Sequence, residues 1–225
     1  MTFAELRESV WQVNRDLHRH GLVHIHSGNA SGVDREVGIV LIKPSGVDID
    51  RLTPAQLVAT DLAGNVVDSS RVPDGVASTL RPSVDLVHHL GLYASDSSIG
   101  GVVHTHSIHA TAFALVERPI PCVMTSMADE FGGDIPCAPY TDNADTNIVE
   151  AILAHRTRAP AILLGRHGLF AFDRTPAAAL KAAVMAEVAA QTVMLAMGLG
   201  TPTRFTDGEI EKWWTRYHGA YGQKQ

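Results

Sequence analysis

The sequence predicts an α/β protein, a three-layer α/β/α sandwich with a largely antiparallel central sheet, and two observations carry that expectation. The clearest helical patterns lie towards the ends of the chain, Phe3–Leu17 and Pro176–Met197, and helix-like and strand-like stretches alternate irregularly between them. No internal repeat or low-complexity tract interrupts the 225 residues, which are 45% hydrophobic and 19% charged and are expected to form a single domain over 1–225.

The formal net charge of −6 gives no general attraction to nucleic acid or to an anionic membrane, although a local basic pocket for an anionic substrate remains open. The N-terminus lacks a charged, apolar leader pattern. No apolar run reaches the roughly 18 residues that a membrane span needs. A cytoplasmic protein is expected. Cys122 and Cys137 each follow an Ile-Pro pair and are expected as reduced, buried thiols.

Taken in order, Thr2 and Glu5 form a capping box, and Phe3, Leu6, Val10, Val13 and Leu17 repeat at helical spacing until Gly21. His24-Ile-His26 runs into a small-residue turn, Ser27–Ser31. That H-x-H pair is weighed as a metal pair against an ordinary turn. The Gly28-Asn29 step can present backbone N–H groups and an amide to an anion or hydroxyl. Residues Glu36–Ile42 read as a strand that empties into Lys43-Pro-Ser-Gly46, either a phosphate cradle or a plain strand-exit turn. Short strands at Leu57–Thr60 and Asn65–Val67 precede a surface loop, Ser69–Leu80. Ser83 is expected to cap a helix that carries Asp85 in its first turn and His89 on its apolar face.

The apolar run Ile99–Val103 ends in His104-Thr-His106, and side chains two apart on a strand share a face, so the two imidazoles can grip one ion. A short helix, Ile108–Leu115, a strand, Pro119–Thr125, and a polar loop, Met127–Gly133, should follow; Asp129 in that loop has no visible structural duty. Asp145–His155 reads as a helix, and strands Ala161–Leu164 and Leu169–Phe172 bracket Arg166-His167-Gly168. Thr175 and Pro176 open the longest helix in N-cap and N1 roles, with Gly198 beyond it, and Thr206–Tyr217 reads as a further helix. Asp85, His104, His106 and His167 together would make a His₃-carboxylate set suited to Zn²⁺ or a similar divalent ion.

Other H-x-H chemistries lack their companions here. Ile108 stands where a metallo-β-lactamase would carry Asp, and no nucleophile elbow, Walker loop or dinucleotide fingerprint is present. Gly28-Asn29-Ala30-Ser31, Lys43-Pro-Ser-Gly46, Arg81-Pro-Ser-Val-Asp85, His104-Thr-His-Ser107 and Arg166-His-Gly168 occur in an order and spacing that resembles the class II aldolase/adducin family over nearly the whole chain. Within that family the likeness is strongest to its sugar-phosphate 4-epimerases, through Ile42–Asp48, Ser98–Ser107, Ala128-Asp129, Ile135–Cys137 and Tyr221-Gly-Gln223.

The resemblance implies Asp85, His104, His106 and His167 as ligands of Zn²⁺, or of another divalent metal such as Mn²⁺ or Co²⁺. It implies a phosphate and sugar site lined by Gly28, Asn29, Ser45, Gly46 and Ser83, with Lys43 nearby. Asp129 and Tyr221 would be the acid/base pair, reaching a neighbouring subunit's metal in a homotetramer. Asp85 stands where aldolase relatives commonly carry a Glu that is both ligand and acid/base. The implied reaction is epimerisation of a ketopentose phosphate by carbon–carbon cleavage and reclosure. The alternatives are aldolase cleavage of a sugar phosphate, sugar-phosphate dehydration, and a non-enzymatic adducin-like module. Three positions depart from the family pattern: Val84 replaces a hydroxyl residue, Met127 a His, and the segment between Ile135 and Ile148 is short.

Overall fold

The computed structural model describes residues 1–144 and 146–220. Tyr221, and Asp145 at the expected start of a helix, lie outside the described residues. The chain opens with α1 (Phe3–Arg19), whose Thr2–Glu5 capping box forms in full. Strands β1 (Asn29–Asp34), β2 (Ile39–Ile42) and β3 (Val58–Asp61) follow, then α2 (Leu86–Ser95), β4 (Gly101–Thr105), α3 (Ile108–Leu115) and α4 (Thr125–Phe131). The remaining elements are β5 (Cys137–Ala138), α5 (Asn147–His155), β6 (Ala161–Leu164), β7 (Gly168–Asp173), α6 (Pro176–Leu199) and α7 (Asp207–Ala220).

All seven strands join one sheet in the order β3-β2-β1-β4-β7-β6-β5. The sheet is mixed: β5 pairs with β6 in parallel and every other pairing is antiparallel. Both faces are covered, which is why β2 and β6 read as unbroken apolar runs rather than alternating ones. Val103, Leu169 and Ala171 pack towards α1, α3 and the alanine stripe of α6, whereas Val102, Phe170 and Phe172 pack towards α2 and α5. His104 stands two residues from Val102 on β4 and so belongs to the α2 side of the sheet.

Several expectations need correction. Strand β1 runs through what the sequence presents as a small-residue turn. Its small side chains suit close approach: a Cβ on Gly32 would lie 2.8 Å from Leu6 Cδ1 and Val10 Cγ2 of α1. Strand β2 starts at Ile39, because the Asp34 carboxylate accepts from Glu36 N and Val37 N and turns those residues into the hairpin bend. The expected strands at Asn65–Val67 and Pro119–Thr125 shrink to single bridges, Thr60–Val66 and Ile120–Ile135.

Asp129 sits on a helix, α4, rather than in a loop, and Asp85 sits at the N-cap position of α2 rather than within its first turn. Helix α6 continues through Gly198 to Leu199. It is also long and apolar enough to cross a membrane by length and composition, with a mean hydropathy of 1.6 over its best window, contrary to expectation. In the fold its small face, from Ala179 to Val193, is buried over β4 and β7. Both cysteines are free, Cys122 buried as expected and Cys137 only half-buried, and burial pushes each thiol up to about 11.

Candidate metal centre

Three imidazoles meet at one end of the sheet, where β4 ends and its antiparallel neighbour β7 begins. His104 lies on β4, His106 just past its end, and His167 in the turn between β6 and β7; the ligand nitrogens of all three fall within 4.8 Å of one another. The ring of His104 is buried and stacks on its cross-strand partner Phe170, centroids 4.3 Å apart at 18°. His104 Nδ1 lies 3.0 Å from the Leu169 carbonyl. A carbonyl only accepts, so the ring proton is on Nδ1 and the Nε2 lone pair is free, as a ligating imidazole requires.

The His167 turn is tied down at its base. Arg166 adopts φ +57, an uncommon conformation for a residue with a side chain, and its N–H donates to Ala114 O at 2.9 Å while His167 N–H donates to Leu164 O at 3.0 Å. Two glycines let the strands close around the cluster. A Cβ on Gly168 would run into the Thr105 carbonyl and lie 2.8 Å from His106 Cδ2; one on Gly28, at φ +69, would lie 2.7 Å from the His104 carbonyl.

Asp85 faces the same space from the start of α2. Its Oδ2 accepts from Asn29 Nδ2 at 2.6 Å and from Ser83 Oγ at 3.4 Å. Burial pushes its pKa up, but His104, His89 and the Asn29 amide outweigh that and the net shift is downward, which keeps the carboxylate ionised. Asp85 is not within the tight spacing of the three imidazoles. Burial lowers the pKa of His104, His106 and His167, against the opposing pull of Asp85, so all three are neutral with lone pairs available. Three neutral imidazoles beside one carboxylate form a donor set that fits a borderline divalent cation.

A cavity of about 290 Å³ opens above this cluster, lined by Gly28, Asn29, Lys43, Ser45, Gly46 and Ser83 together with Asp85 and the three histidines. The loops that carry these residues are zipped together: Ser83 N donates to Lys43 O and Ser45 N to Arg81 O, each at 3.0 Å. Lys43 is 2% exposed. Its Nζ donates to the carbonyls of His26 and Pro44 at 3.1 and 3.3 Å, and burial lowers its pKa against the raising charge of Asp85. The amide of Asn29 is spent on Ser83 and Asp85, which leaves its Oδ1 a buried acceptor without a protein partner.

Val84, also at the cavity wall, is 80% exposed. His26, Ser27 and Asn143 line the cavity too and were not expected there. The first two adjoin Gly28 in sequence; Asn143 reaches the cavity from the distant loop before α5 and carries no local signal. His24 and His26 are not part of the imidazole cluster; they lie in a turn closed by Ser27 N–H donating to the His24 carbonyl at 3.0 Å, with Ile25 at φ +58.

Asp129 does not line the cavity of its own chain. It lies where α4 packs on α7, with Oδ2 3.7 Å from Arg216 Nη2 and Oδ1 buried without a hydrogen-bond partner. Tyr221 is outside the described residues.

Residues 8–194 match the Class II Aldolase and Adducin N-terminal domain family, and the chain belongs to that family. It is similar to the solved structure of an L-fuculose 1-phosphate aldolase at 25% identity and a TM-score of 0.83, covering 95% of this chain and 96% of that one. An L-fuculose-1-phosphate aldolase from Thermus thermophilus is 26% identical with a TM-score of 0.68, covering 88% and 97%. YgbL from Escherichia coli, described as a putative aldolase/epimerase/decarboxylase, shares the fold at 23% identity and a TM-score of 0.80, covering 94% and 99%.

Proposed function

We propose that this chain is a metal-dependent enzyme that breaks and re-forms a carbon–carbon bond of a phosphorylated ketose. The reading we place first is 4-epimerisation of L-ribulose 5-phosphate to D-xylulose 5-phosphate. The observation that carries the proposal is the meeting of three neutral imidazoles with an ionised carboxylate beside a cavity walled by hydroxyls, glycine backbone and a buried ammonium.

Zn²⁺, or Mn²⁺ or Co²⁺, held by His104, His106, His167 and Asp85 would supply Lewis acidity to the ketone carbonyl and its neighbouring hydroxyl. The protein supplies the rest. Asn29 and Ser83 fix the carboxylate of Asp85. The backbone N–H groups of Gly28 and Gly46 and the Ser45 hydroxyl offer donors to the phosphate beside Ser83, and Lys43 keeps the local potential positive for an anion. The unpartnered Asn29 Oδ1 suits a sugar hydroxyl, which can donate to it.

Cleavage requires a base to take the proton from the C4 hydroxyl as the C3–C4 bond opens to an aldehyde, with the bond electrons delocalised into the ketone. Reclosure on the opposite aldehyde face returns the proton and inverts C4. We assign the two proton-handling roles to Asp129 and Tyr221, acting from a neighbouring subunit of a homotetramer. Support for Asp129 is its buried, unpartnered Oδ1. Support for assembly is the exposed apolar surface on α3 and α6, including Leu115, Val116, Leu195 and Leu199. We further infer a single cytoplasmic domain in which α1, α3 and α6, the sheet, and α2 and α5 form three layers.

The second reading is a class II aldolase that releases dihydroxyacetone phosphate and an aldehyde from a substrate such as L-fuculose 1-phosphate, favoured by the likeness to solved aldolases of that specificity. Asp85 decides our order. Replacing the longer carboxylate of aldolase relatives by Asp moves the carboxylate by about an ångström, a displacement that costs on the order of 10²-fold in catalysis when a base must reach its proton. The test is incubation of the Zn²⁺-loaded protein with each sugar phosphate and product analysis. Inversion without free aldehyde supports the epimerase; free dihydroxyacetone phosphate selects the aldolase. Turnover that is indifferent to chelation would overturn both.

A further inference from the structure

Glu130 follows Asp129 on α4 and closes a ring of hydrogen bonds that joins three helices. Lys181 Nζ of α6 donates to Glu130 Oε2 at 2.7 Å and to the Tyr217 hydroxyl of α7 at 2.6 Å, and that hydroxyl donates to the same Glu130 oxygen at 2.8 Å. The groups match in kind: the ammonium only donates, the carboxylate only accepts, and the phenol does one of each. Lys181 Nζ also lies 5.1 Å from the centroid of the Tyr217 ring. An ion pair in open solvent contributes little. Here the carboxylate side chain is only 10% exposed and its bonds are charge-assisted, so the ring ties the helices together.

Asp129 stands beside this ring without a hydrogen bond to hold it. Its Oδ1 is buried and unpartnered among the described residues, and its Oδ2 meets Arg216 Nη2 of α7 only at 3.7 Å, too long for a hydrogen bond. Asp129–Arg216 and Glu130–Tyr217 are successive cross-links between the same two helices, the second one residue further along each. The other end of α4 is fixed separately: Arg158 Nε donates to the Gly132 carbonyl at 3.0 Å, and its guanidinium pairs with Glu211 of α7 at 2.8 Å. With seven residues, α4 is too short to be stable by itself, so its cross-links set where Asp129 lies. Helix α6 packs over β4 and β7, the strands that frame the histidines, so Lys181 connects the α4 and α7 pair to the body of the fold.

We propose that Glu130, Lys181 and Tyr217 are positioning residues for Asp129: their ring fixes α4 against α7 and α6, and so places a carboxylate whose own acceptor capacity is kept for a substrate proton. The three residues act through the helix and touch no substrate. The proposal rests on the acid/base role given to Asp129 above, in the site of a neighbouring subunit.

The experiment combines hydrogen exchange, steady-state kinetics on the sugar phosphate that the wild-type protein turns over, and subunit mixing. Lys181→Met keeps the long stem of a half-exposed side chain and removes its donors. It should keep the tetramer and its Zn²⁺, and lower the protection of the α4 amides. Its kcat should fall roughly 10–100-fold with KM little changed, the scale of loss for a group misplaced by about an ångström. Unchanged protection, or unchanged kcat, would overturn the proposal. Tyr217→Phe keeps the aromatic ring beside Lys181 and loses only the hydroxyl, so a smaller loss of both is expected; full protection with full activity would remove the phenol from the role. Mixing then locates the defect. Lys181→Met protein mixed with His167→Asn protein should regain partial activity, because a hybrid tetramer joins an intact metal site on one subunit to a well-placed Asp129 on the next. If Asp129→Asn regains activity with His167→Asn and Lys181→Met does not, the defect lies in the metal site of its own chain and the positioning role is wrong. If neither regains activity, the shared site itself is wrong, so the two failures are distinguishable.

Discussion

At the scale of single residues, the site is built by exclusion as much as by its ligands. Gly168 has no side chain because the Thr105 carbonyl and the His106 ring occupy that space. Gly168→Ala should therefore push His106 out of line. We expect a loss of roughly 1–3 kcal/mol in stability, the usual cost of overpacking, together with weaker Zn²⁺ binding, measured by thermal melts and chelator competition. His104→Asn removes the candidate ligand whose free nitrogen is fixed by the Leu169 carbonyl. It should abolish stoichiometric metal by elemental analysis without unfolding the protein; full metal content would remove His104 from the set. Arg7 shows the same logic away from the site. It is 5% exposed, paired with Asp74 at 2.6 Å and donating to the Val76 carbonyl, so Arg7→Ala strands a half-buried carboxylate and should cost about 3–5 kcal/mol.

Among the elements, α3 and α6 set the exit of the histidine strand. Glu187 of α6 accepts from His109 N and Ala110 N at 2.9 Å each and from His109 Nδ1 at 2.7 Å, so one side chain caps the start of α3 directly after His106. Ser107, in the N-cap position, makes no side-chain cap bond, and the duty passes to Glu187. Glu187→Ala should cost about 1–3 kcal/mol by orphaning those N–H groups. At about 2–4 °C per kcal/mol for a protein of this size, a fall in melting temperature of several degrees is expected by calorimetry. Glu187→Gln, which can still accept one of the bonds, should recover part of it.

For the molecule as a whole, the buried histidines set the response to acid. His88, His89, His104, His106 and His167 all have folded-state pKa values below the ordinary histidine value, with burial the first cause in each. Below about pH 6.5 the unfolded chain takes up protons that the folded protein refuses, so stability is present above that pH and is lost as the pH falls further. Denaturant midpoints of metal-free protein should hold steady from pH 8 to 7 and decline from pH 6.5 downward. A flat profile to pH 5 would mean that the imidazoles are more hydrated than their burial indicates. Assembly is testable on the same scale. Light scattering should give a tetramer, and mixing two inactive variants, Asp129→Asn and His167→Asn, should restore partial activity, because hybrid tetramers then contain intact shared sites.

The sequence alone was enough for features whose determinants are local or periodic. The capping box and apolar stripe fix α1, Thr175 and Pro176 start α6, and the i, i+2 spacing brings His104, on β4, and His106, one residue past its end, to one cluster. The pairing with His167 and Asp85, and the Gly28, Ser45 and Ser83 wall, could be named because their motifs resemble those of a known family. Tertiary structure decided the rest, for identifiable reasons. Strand β1 is hidden because small residues that suit packing beneath α1 have low strand propensity, and α4 is hidden because so short a helix before two glycines carries no periodic signal. Asn143 joins the cavity only because α5 folds its loop back over the sheet. The inward turn of the Lys43 ammonium depends on the His26 carbonyl as well as on that of its neighbour Pro44, and the protonated nitrogen of His104 depends on the Leu169 carbonyl, 65 residues on. That last hydrogen bond exists only once strands β4 and β7 lie side by side.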